Sequence, residues 1–551
     1  MIESPLVRHF RQIVLWPLQL MPVRPGNPVQ RHWEVLDQLA GTSPWHEVAD
    51  EFCEDPAEFQ ERHYKEFVTF LPYTQRFLYG TSAGQESSQR LSDPSIHVYR
   101  RRDIQGVRVT FERGEQPWQF KVAHVDLNFF HDADLVLLAV ELHADDLPLN
   151  VAQDTLFRFG RAYPAFWDAR GEGGNCPHLV EWLAADDTVL AQSDYGSRSR
   201  YLEFVGRHRT PCNSAHWDWL LQPLTLEVPG QRGPLQYRQL EYYRMPFMSY
   251  LALDDPMQLS RADWIRLGLV TRPGGRDDLP YSASTLHDFE SEYCDDRFWD
   301  RTGERVSGDT RFIVTGQTLS MVGNHRDAFF SGAENGLLSQ FRHQYFLLFL
   351  IAHFHKAALL SMSDELAVAM NRLTVGDTES VKNFKRTIRQ MMETFLRFTH
   401  RYWFHEVSNQ EIARNIFDRL RRHLGNEALH AEVRNEVIDM NSYLDSDSAR
   451  RQANTVLRLT VVTIVGLIGT IATGVLGMNV FSEADRSSFG KLALFLVVLV
   501  ATGTIAIATI VKSKRLADFL DALSDERVPW KSKFTTLRAA SRASPRLSRQ
   551  R

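Results

Sequence analysis

The stretch that decides the fold is LTVVTIVGLIGTIATGVLGM, residues 459–478, which contains no ionisable side chain. A second uncharged run, LALFLVVLVATGTIAIATIV, occupies residues 492–511. About 20 helical residues, each rising about 1.5 Å, match a hydrocarbon core roughly 30 Å thick. Two runs of this length are more typical of membrane spans than of buried core helices. The sequence therefore predicts two C-terminal transmembrane helices.

Averaged over the whole chain, the composition is that of a soluble globular protein. The 551 residues include 63 basic and 68 acidic side chains, for a formal charge of −5, and the mean hydropathy is −0.31. These values exclude a collagen-like, disordered or many-span chain, and the near-neutral charge argues against a nucleic-acid partner. The four cysteines are widely spaced and form no CxxC pair, so no disulfide framework is expected.

Charges beside the two runs predict their orientation. Basic residues precede the first run and follow the second, whereas the short connection holds two acids. By the positive-inside rule, both termini lie in the cytoplasm of a multi-pass protein of the plasma (inner) membrane. Residues 531–551 carry seven basic and no acidic side chains, so we expect a disordered tail against anionic membrane lipid.

The first run carries small and hydroxyl-bearing residues along one helical face. Steps of three and four residues connect Thr463, Gly466, Thr470, Thr473 and Gly477. This face is typical either of close helix packing or of the wall of a water-filled pore. No strong helix breaker interrupts residues 426–478, which predicts a helix about 80 Å long.

The first run ends in Gly477-Met478-Asn479. At this point the sequence resembles the CorA family of divalent-cation channels. That family's signature is a Gly-Met-Asn tripeptide closing the first of two C-terminal spans, after a large cytoplasmic domain and a long stalk helix. The resemblance is specific over about residues 336–515, and only architectural before that.

The resemblance implies a homopentameric funnel in which five first spans surround the pore. Gly477, Met478 and Asn479 would form the selectivity filter, with Asn479 holding a hydrated metal ion through its water shell. Mg²⁺ keeps several waters in proteins, which suits a ring of neutral amide oxygens. The divalent cation is then the substrate and a possible regulator, and no cofactor is expected. The implied pore-lining residues are Val456, Leu459, Thr463, Gly466, Thr470 and Gly474, of which the first two would form an apolar constriction.

The sequence also departs from the family pattern. Leu476 stands where the family has tyrosine, a mid-span proline is absent, and the outer loop reads VFSEADRSSFG without a Met-Pro-Glu triplet. Glu483 and Asp485 are expected either to concentrate cations or to be ordinary solvated charges. The transported ion therefore stays open among Mg²⁺, Co²⁺, Ni²⁺ and Zn²⁺.

Family channels close when cytosolic metal binds acidic groups between protomers. Candidate acids for this role lie on the lower stalk, where nearby arginines also explain them as solvated charges. They are Asp439, Asp445 and Asp447.

The predicted fold class is an α+β cytoplasmic domain with a long stalk helix and two transmembrane helices. The predicted divisions are an enlarged α/β domain at 1–335, helical hairpins at 336–425, the stalk and first span at 426–479, the outer loop at 480–490, the second span at 491–512 and the basic tail at 513–551. Strands are predicted at 13–23, 107–111, 120–130, 135–142, 201–205, 224–228 and 311–316. Helices are predicted at 151–162, 337–373, 380–404 and 409–424, and loops dominate 165–235.

Signals for catalysis are poor. The sequence contains no GxxxxGK[ST], GxSxG or HExxH, and Gly171, Gly173 and Gly174 lie in a polar loop instead of after a strand. A zinc site is conceivable at Cys176, His178, Cys212 and His216, although their spacing is not that of a zinc finger. We therefore do not expect an enzyme.

The leading hypothesis is a pentameric channel that passes divalent cations, foremost Mg²⁺. One alternative is proton-coupled Zn²⁺ transport, as in the ZntB branch of the superfamily. Another is a ligand-gated membrane effector or sensor, in which the enlarged N-terminal body binds a cytosolic signal and opens the pore.

Overall fold

A computed structural model describes residues 5–477 except 24–28, 30, 40, 49–60, 81–94, 132, 231–232, 241–243, 276–278, 301–308, 333 and 375–377. Beyond Gly477 it describes residues 489, 490, 493, 496, 497, 500, 501, 504 and 505. The chain divides into two compact units, Met1–Val437 and Ile438–Arg551. The first unit is a mixed α/β domain, as the sequence predicted.

Fourteen strands, among the residues that the structure describes, form one mixed sheet in the first unit. They are β1 (Leu6–Leu20), β2 (Trp45–Glu47), β3 (Ile96–Arg101), β4 (Gly106–Thr110), β5 (Trp118–Phe130), β6 (Leu135–Pro148), β7 (Leu179–Leu183), β8 (Val189–Gln192), β9 (Leu224–Leu226), β10 (Leu235–Gln239), β11 (Phe247–Leu253), β12 (Cys294–Asp295), β13 (Arg311–Val314) and β14 (Thr318–Asn324).

The main path of the sheet runs β12-β13-β14-β11-β1-β6-β5-β4-β7-β8. The pairs β11–β14 and β9–β10 are parallel, and the other named pairs are antiparallel. The long strands β1 and β5 each take two partners end to end along one edge. β5 pairs with β4 near its start and with β3 near its end, and β1 pairs with β11 and then β10.

This end-to-end pairing explains how β1 accommodates a proline. Pro17 has no N–H to donate to a neighbouring strand. It falls between the β11 ladder, which ends at Val14, and the β10 ladder, which begins at Leu18. The apolar segment predicted as a buried strand at 13–23 is thus the second half of β1, and nearly all of it is buried up to Leu20.

Helices surround the sheet and continue into the C-terminal part of the chain. They are α1 (His32–Gln38), α2 (Glu61–Thr69), α3 (Pro72–Tyr79), α4 (Leu149–Arg158), α5 (Arg198–His208), α6 (Ala215–Leu221), α7 (Arg261–Leu269), α8 (Ala283–Tyr293), α9 (Ala328–Ser331), α10 (Leu337–Arg342), α11 (Gln344–Asn371), α12 (Thr378–Arg401), α13 (Glu411–Leu424) and α14 (Asn426–Gly477). Helices α4 and α11 both pack against β1 and β6.

The segment Leu337–Asn371 is the described helical stretch that is long and apolar enough to cross a membrane. However, 72% of its apolar window is buried inside the protein, and the chain breaks at His343 between α10 and α11. It therefore serves as a core helix of the first unit. Packing against the sheet removes these apolar side chains from water, as a bilayer would.

Most predicted elements are found, with shifted ends. The β5–β6 hairpin, the helices at 380–404 and 409–424, and the strands at 107–111, 224–228 and 311–316 are confirmed as β5, β6, α12, α13, β4, β9 and β13.

One prediction in the region 165–235 was wrong. Residues 201–205 are not a strand but part of helix α5, in which Tyr201 is buried and Leu202 and Val205 are exposed. Five residues are too few to separate a period of two from a period of 3.6. Residues outside helices and strands do make up the larger part of this region, as predicted, although β7, β8, α5, α6 and β9 lie within it.

Candidate pore helix

Helix α14 is the element that carries the predicted functional residues. Its 52 residues run from Asn426 to Gly477 without interruption, which confirms the long helix predicted from the sequence. At about 1.5 Å per residue it is roughly 80 Å long. Gly425 separates it from α13 by adopting a left-handed conformation with φ of 71°. Residues up to Val437 belong to the first unit and residues from Ile438 to the second.

The two units use this helix differently. In the first unit, Val433 and Val437 are buried and belong to the core. In the second unit, Val461 and Gly469 are buried, whereas Val456 and Leu459 are 63% and 66% exposed. The apolar side chains on α14 are therefore covered in its lower part and largely uncovered in its upper part.

The predicted pore-lining residues share the uncovered side. At about 100° per residue, each lies at least about 140° around the helix from the buried Val461. All of them are exposed in the single chain, as is Gly477. The set comprises Val456, Leu459, Thr463, Gly466, Thr470 and Gly474.

The threonines on this helix are held in a defined orientation. The hydroxyl of Thr463 donates to the carbonyl of Leu459 at 2.8 Å, and that of Thr470 donates to the carbonyl of Gly466 at 2.9 Å. Such bonds to the carbonyl four residues earlier use the only hydroxyl proton. The oxygen keeps its lone pairs for another donor, so each of these side chains presents an acceptor on the exposed face.

Gly477 is the last described residue of the predicted filter. It closes α14 and is exposed. Met478, Asn479, Glu483 and Asp485 lie outside the described residues, as do the other residues of 480–488 and the basic tail. The described residues between 489 and 505 are helical, and the Thr504 hydroxyl donates to the carbonyl of Val500 at 2.7 Å.

The candidate regulatory acids do not converge within one chain. Asp439 and Asp445 are exposed, and the Asn441 side-chain amide donates to Asp445 at 3.1 Å. Asp447 belongs to α14, but its side chain lies outside the described part. Among the described residues, no group of three or more histidine, cysteine, aspartate or glutamate side chains is placed to hold a metal.

The lack of such a group among the described residues also argues against a zinc site at Cys176, His178, Cys212 and His216. His178 pairs with Glu172 at 2.8 Å, and His216 hydrogen-bonds to Ser214 at 3.0 Å. Cys176 and Cys212 are free and buried. Burial raises the pKa of the Cys176 thiol to about 12 and that of Cys212 to about 11, so neither offers a thiolate near neutral pH.

A buried charge cluster in the first unit escaped the sequence reasoning. Glu141, only 6% exposed in its side chain, lies 2.5 Å from Arg11 and 2.9 Å from Arg342. Burial raises the pKa of Glu141 most strongly, but the two guanidiniums together outweigh it and hold the pKa below its usual value. The signal in the sequence is a lone acid in the otherwise apolar run of β6.

Comparison with known proteins assigns the C-terminal part of the chain. Residues 363–515 match the family described as CorA-like Mg²⁺ transporter protein. The match begins within α11, includes α12, α13 and α14, and extends through both uncharged runs. No curated protein matches the chain. The family comprises cation transporters of membranes, not enzymes. The segment 363–515 thus belongs to the CorA-like family of Mg²⁺ transporters, as the resemblance of the sequence predicted.

Proposed function

We propose that this protein is a membrane channel that conducts divalent cations, foremost Mg²⁺, into the cytoplasm through a homopentameric pore. The observation that carries the proposal is the CorA-like match over residues 363–515, a segment that contains α14 and both uncharged runs. The first unit would be the cytoplasmic body, and both termini would lie inside.

The exposed face of α14 supports a pore built from several copies. A single helix cannot enclose a channel, and the side chains opposite Val461 are uncovered in one chain. Large apolar side chains on the neighbouring surface, such as Ile464, are also exposed. Membrane lipid would cover these flanks, while copies of the small-residue face would surround the ion path.

The chemistry of this face suits a hydrated cation. A hydrated Mg²⁺ ion presents water hydrogens outward, and Mg²⁺ gives up its waters reluctantly. The hydroxyl oxygens of Thr463 and Thr470 have used their protons on the helix backbone and can accept hydrogen bonds from that water shell. Glycines at positions 466 and 474 expose backbone and keep the path wide.

The ends of the path follow from the family resemblance. Five copies of Asn479 would ring the outer mouth and bind the hydrated ion through its waters, with Gly477 and Met478 shaping the turn. Glu483 and Asp485 would raise the local cation concentration. At the inner end, Val456 and Leu459 would form an apolar constriction that closes by excluding water. Asp439, Asp445 and Asp447 would then bind regulatory metal between protomers.

The proposal is tested by replacing Asn479. The full chain, reconstituted in vesicles loaded with a Mg²⁺-sensitive dye, should pass Mg²⁺ inward, and Asn479→Ala should abolish this flux. Chemical cross-linking should still give a pentamer in the variant. Ser482→Ala, in the same loop, serves as the matched control and should conduct normally. Mg²⁺ flux at the wild-type rate through Asn479→Ala would refute the role of the asparagine ring.

The same vesicles separate the other transport modes. Uptake of Zn²⁺ that requires an inward proton gradient would identify proton-coupled transport instead of passive conduction. A pore that stays shut to Mg²⁺ until a cytosolic metabolite extract is added would identify a ligand-gated effector. Constitutive Mg²⁺ entry that falls when internal Mg²⁺ rises supports the channel proposed here.

A further inference from the structure

The first unit contains an open cleft that the proposed channel does not use. Its cavity of about 820 Å³ is formed by the loop after β4, the C-terminal end of α4, the glycine-bearing loop at 166–178 and Arg272 after α7. This volume lies within the range of about 300–1,000 Å³ that is typical of small-molecule sites. Phe111 and Phe157 are buried beneath it.

The carboxylates of the cleft are already engaged. Glu112 accepts a hydrogen bond from Arg158 at 3.2 Å, and Arg158 also donates to Asp154 at 2.9 Å. Glu172 pairs with His178 at 2.8 Å. Asp168 accepts the backbone N–H groups of residues 170 and 172, each at 2.9 Å, which holds the loop in shape.

Three guanidiniums of the cleft have no such partner. Arg113, Arg170 and Arg272 line it and are exposed, and none forms an ion pair within the described part of the chain. They come from three separate segments, so the fold and not local sequence brings them to one cavity. The cleft therefore offers planar, permanently charged donors with their carboxylate-binding geometry unused.

The same cleft displays an aromatic ring. Phe166 is 54% exposed and lies on the backbone of Gly174, whose N–H donates to the Phe166 carbonyl at 2.7 Å. A Cβ at Gly174 would stand 2.6 Å from the phenyl ring, so only glycine allows this close approach. One face of the ring is thus supported by backbone while much of the remainder stays open to solvent.

We propose that this cleft binds a nucleotide. Arg113, Arg170 and Arg272 would bind the phosphate groups, because a guanidinium donates two parallel hydrogen bonds to phosphate oxygens. Phe166 would stack against the base, an interaction that every nucleobase permits. The thiol of Cys176, buried and protonated beneath the cleft, offers no nucleophile to the bound nucleotide.

Binding is measured on the full chain in detergent with the fluorescent ATP analogue mant-ATP, in EDTA so that metal at the pore contributes nothing. Saturable binding is expected. The triple variant Arg113→Gln/Arg170→Gln/Arg272→Gln should weaken it at least about tenfold. Phe166→Ala should weaken it at least about fivefold, as loss of one stacking contact does.

Two comparisons separate a nucleotide site from a merely basic surface. Unlabelled ATP should displace mant-ATP at lower concentration than either inorganic tripolyphosphate or adenosine alone. Arg207→Gln, an exposed arginine on α5 outside the cleft, is the matched control and should change affinity by less than about twofold. Thermal melting of each variant verifies its fold, and the single arginine variants replace the triple variant if that one melts early.

Three outcomes would overturn the proposal. They are a lack of saturable mant-ATP binding, wild-type affinity in the triple arginine variant, or displacement by tripolyphosphate as effective as by ATP together with an unchanged Phe166→Ala affinity. Because the readout is binding and not ion flux, the result does not depend on whether the channel function holds.

Discussion

At the scale of single residues, the most demanding arrangement is one carboxylate shared by two arginines. Glu141 on β6 lies against Arg11 on β1 and against Arg342 at the end of α10, so it ties a helix to two central strands. Desolvating these charges costs free energy, and only their mutual attraction offsets that cost. Removing the acid alone would leave two guanidiniums in a mostly buried place.

We therefore expect Glu141→Ala to lower the free energy of unfolding by about 3 kcal/mol. Urea unfolding followed by tryptophan fluorescence measures this change. The control is Asp146→Ala, which removes an exposed partner of Arg8 and should cost less than about 1 kcal/mol. Equal losses in both variants would mean that the Glu141 cluster is no more than a surface ion pair.

Buried histidines give the first unit a predictable response to acid. His216, His353 and His355 are at most 1% exposed, and burial lowers the pKa of each to about 3. In the unfolded chain the pKa of these histidines is about 6.5. Below that pH the unfolded state therefore binds protons that the folded state does not bind. The contribution of these neutral histidines to the free energy of unfolding is thus complete above about pH 6.5 and is lost as the pH falls toward about 3.

Each of these histidines should lower the free energy of unfolding by about 2 kcal/mol between about pH 7 and about pH 5. Melting temperatures recorded across this range should fall steeply on acidification. In His355→Gln the fall should be shallower by one histidine's share, although the variant starts less stable. A wild-type stability that does not change with pH would contradict this account.

At the scale of elements, α14 joins two environments in one continuous helix. Its lower turns bury Val433 and Val437, and its upper turns leave Val456 and Leu459 open. The latter pair occupies the inner end of the small-residue face. In the proposed pentamer, these side chains would form an apolar ring at the inner mouth. Such a ring excludes water, and a hydrated ion cannot pass while the ring is dry.

We expect Val456→Ser and Leu459→Ser to raise resting Mg²⁺ flux severalfold, because hydroxyls keep the constriction wet. Dye-loaded vesicles at high internal Mg²⁺, where the channel should be closed, measure the effect. Ile464→Ser is the control: its side chain is also exposed and apolar but lies about 80° around the helix from Val456 and about 140° from Leu459. A larger flux in the control than in the two test variants would place the constriction elsewhere.

At the scale of the whole molecule, the first unit carries a core of its own. Its large sheet is packed by α4 and α11, and the apolar window of Leu337–Asn371 is largely buried. Apolar positions of α14 within this unit are likewise covered, the last being Val437. Among the described residues of this unit, the helical stretch that is long and apolar enough to span a membrane is thus largely covered by protein.

We therefore expect a fragment ending at Val437 to be soluble and folded without detergent, whereas the full chain should require it. Gel filtration and circular dichroism of the fragment in plain buffer check this prediction. Extending the fragment to Gly477 should restore the need for detergent, because it adds the first uncharged run. A 1–437 fragment that partitions into membranes would show that Leu337–Asn371 contacts lipid instead of the sheet.

The elements best predicted from sequence are those whose signal is local. The β5–β6 hairpin and α14 follow from periodicity and turn residues within a short stretch, and Gly425 marks the start of α14 because a positive φ favours glycine. Spacing alone likewise predicted that Thr463, Gly466 and Thr470 share one face of α14, and all three are exposed. Helix α5 was missed because five residues of mixed polarity satisfy either period.

The sequence by itself determined the main features of the C-terminal part of the chain. These are the two uncharged runs, the long helix, the Gly-Met-Asn tripeptide and the family. These depend on residues near one another in the chain. The tertiary structure decided which apolar helix is buried in the protein, where Pro17 finds room in β1, and which charges meet. Glu141 finds its arginines 130 and 201 positions away, and three unpaired arginines reach one cleft from separate loops. Such distant pairings depend on how the sheet is ordered, which local periodicity does not encode.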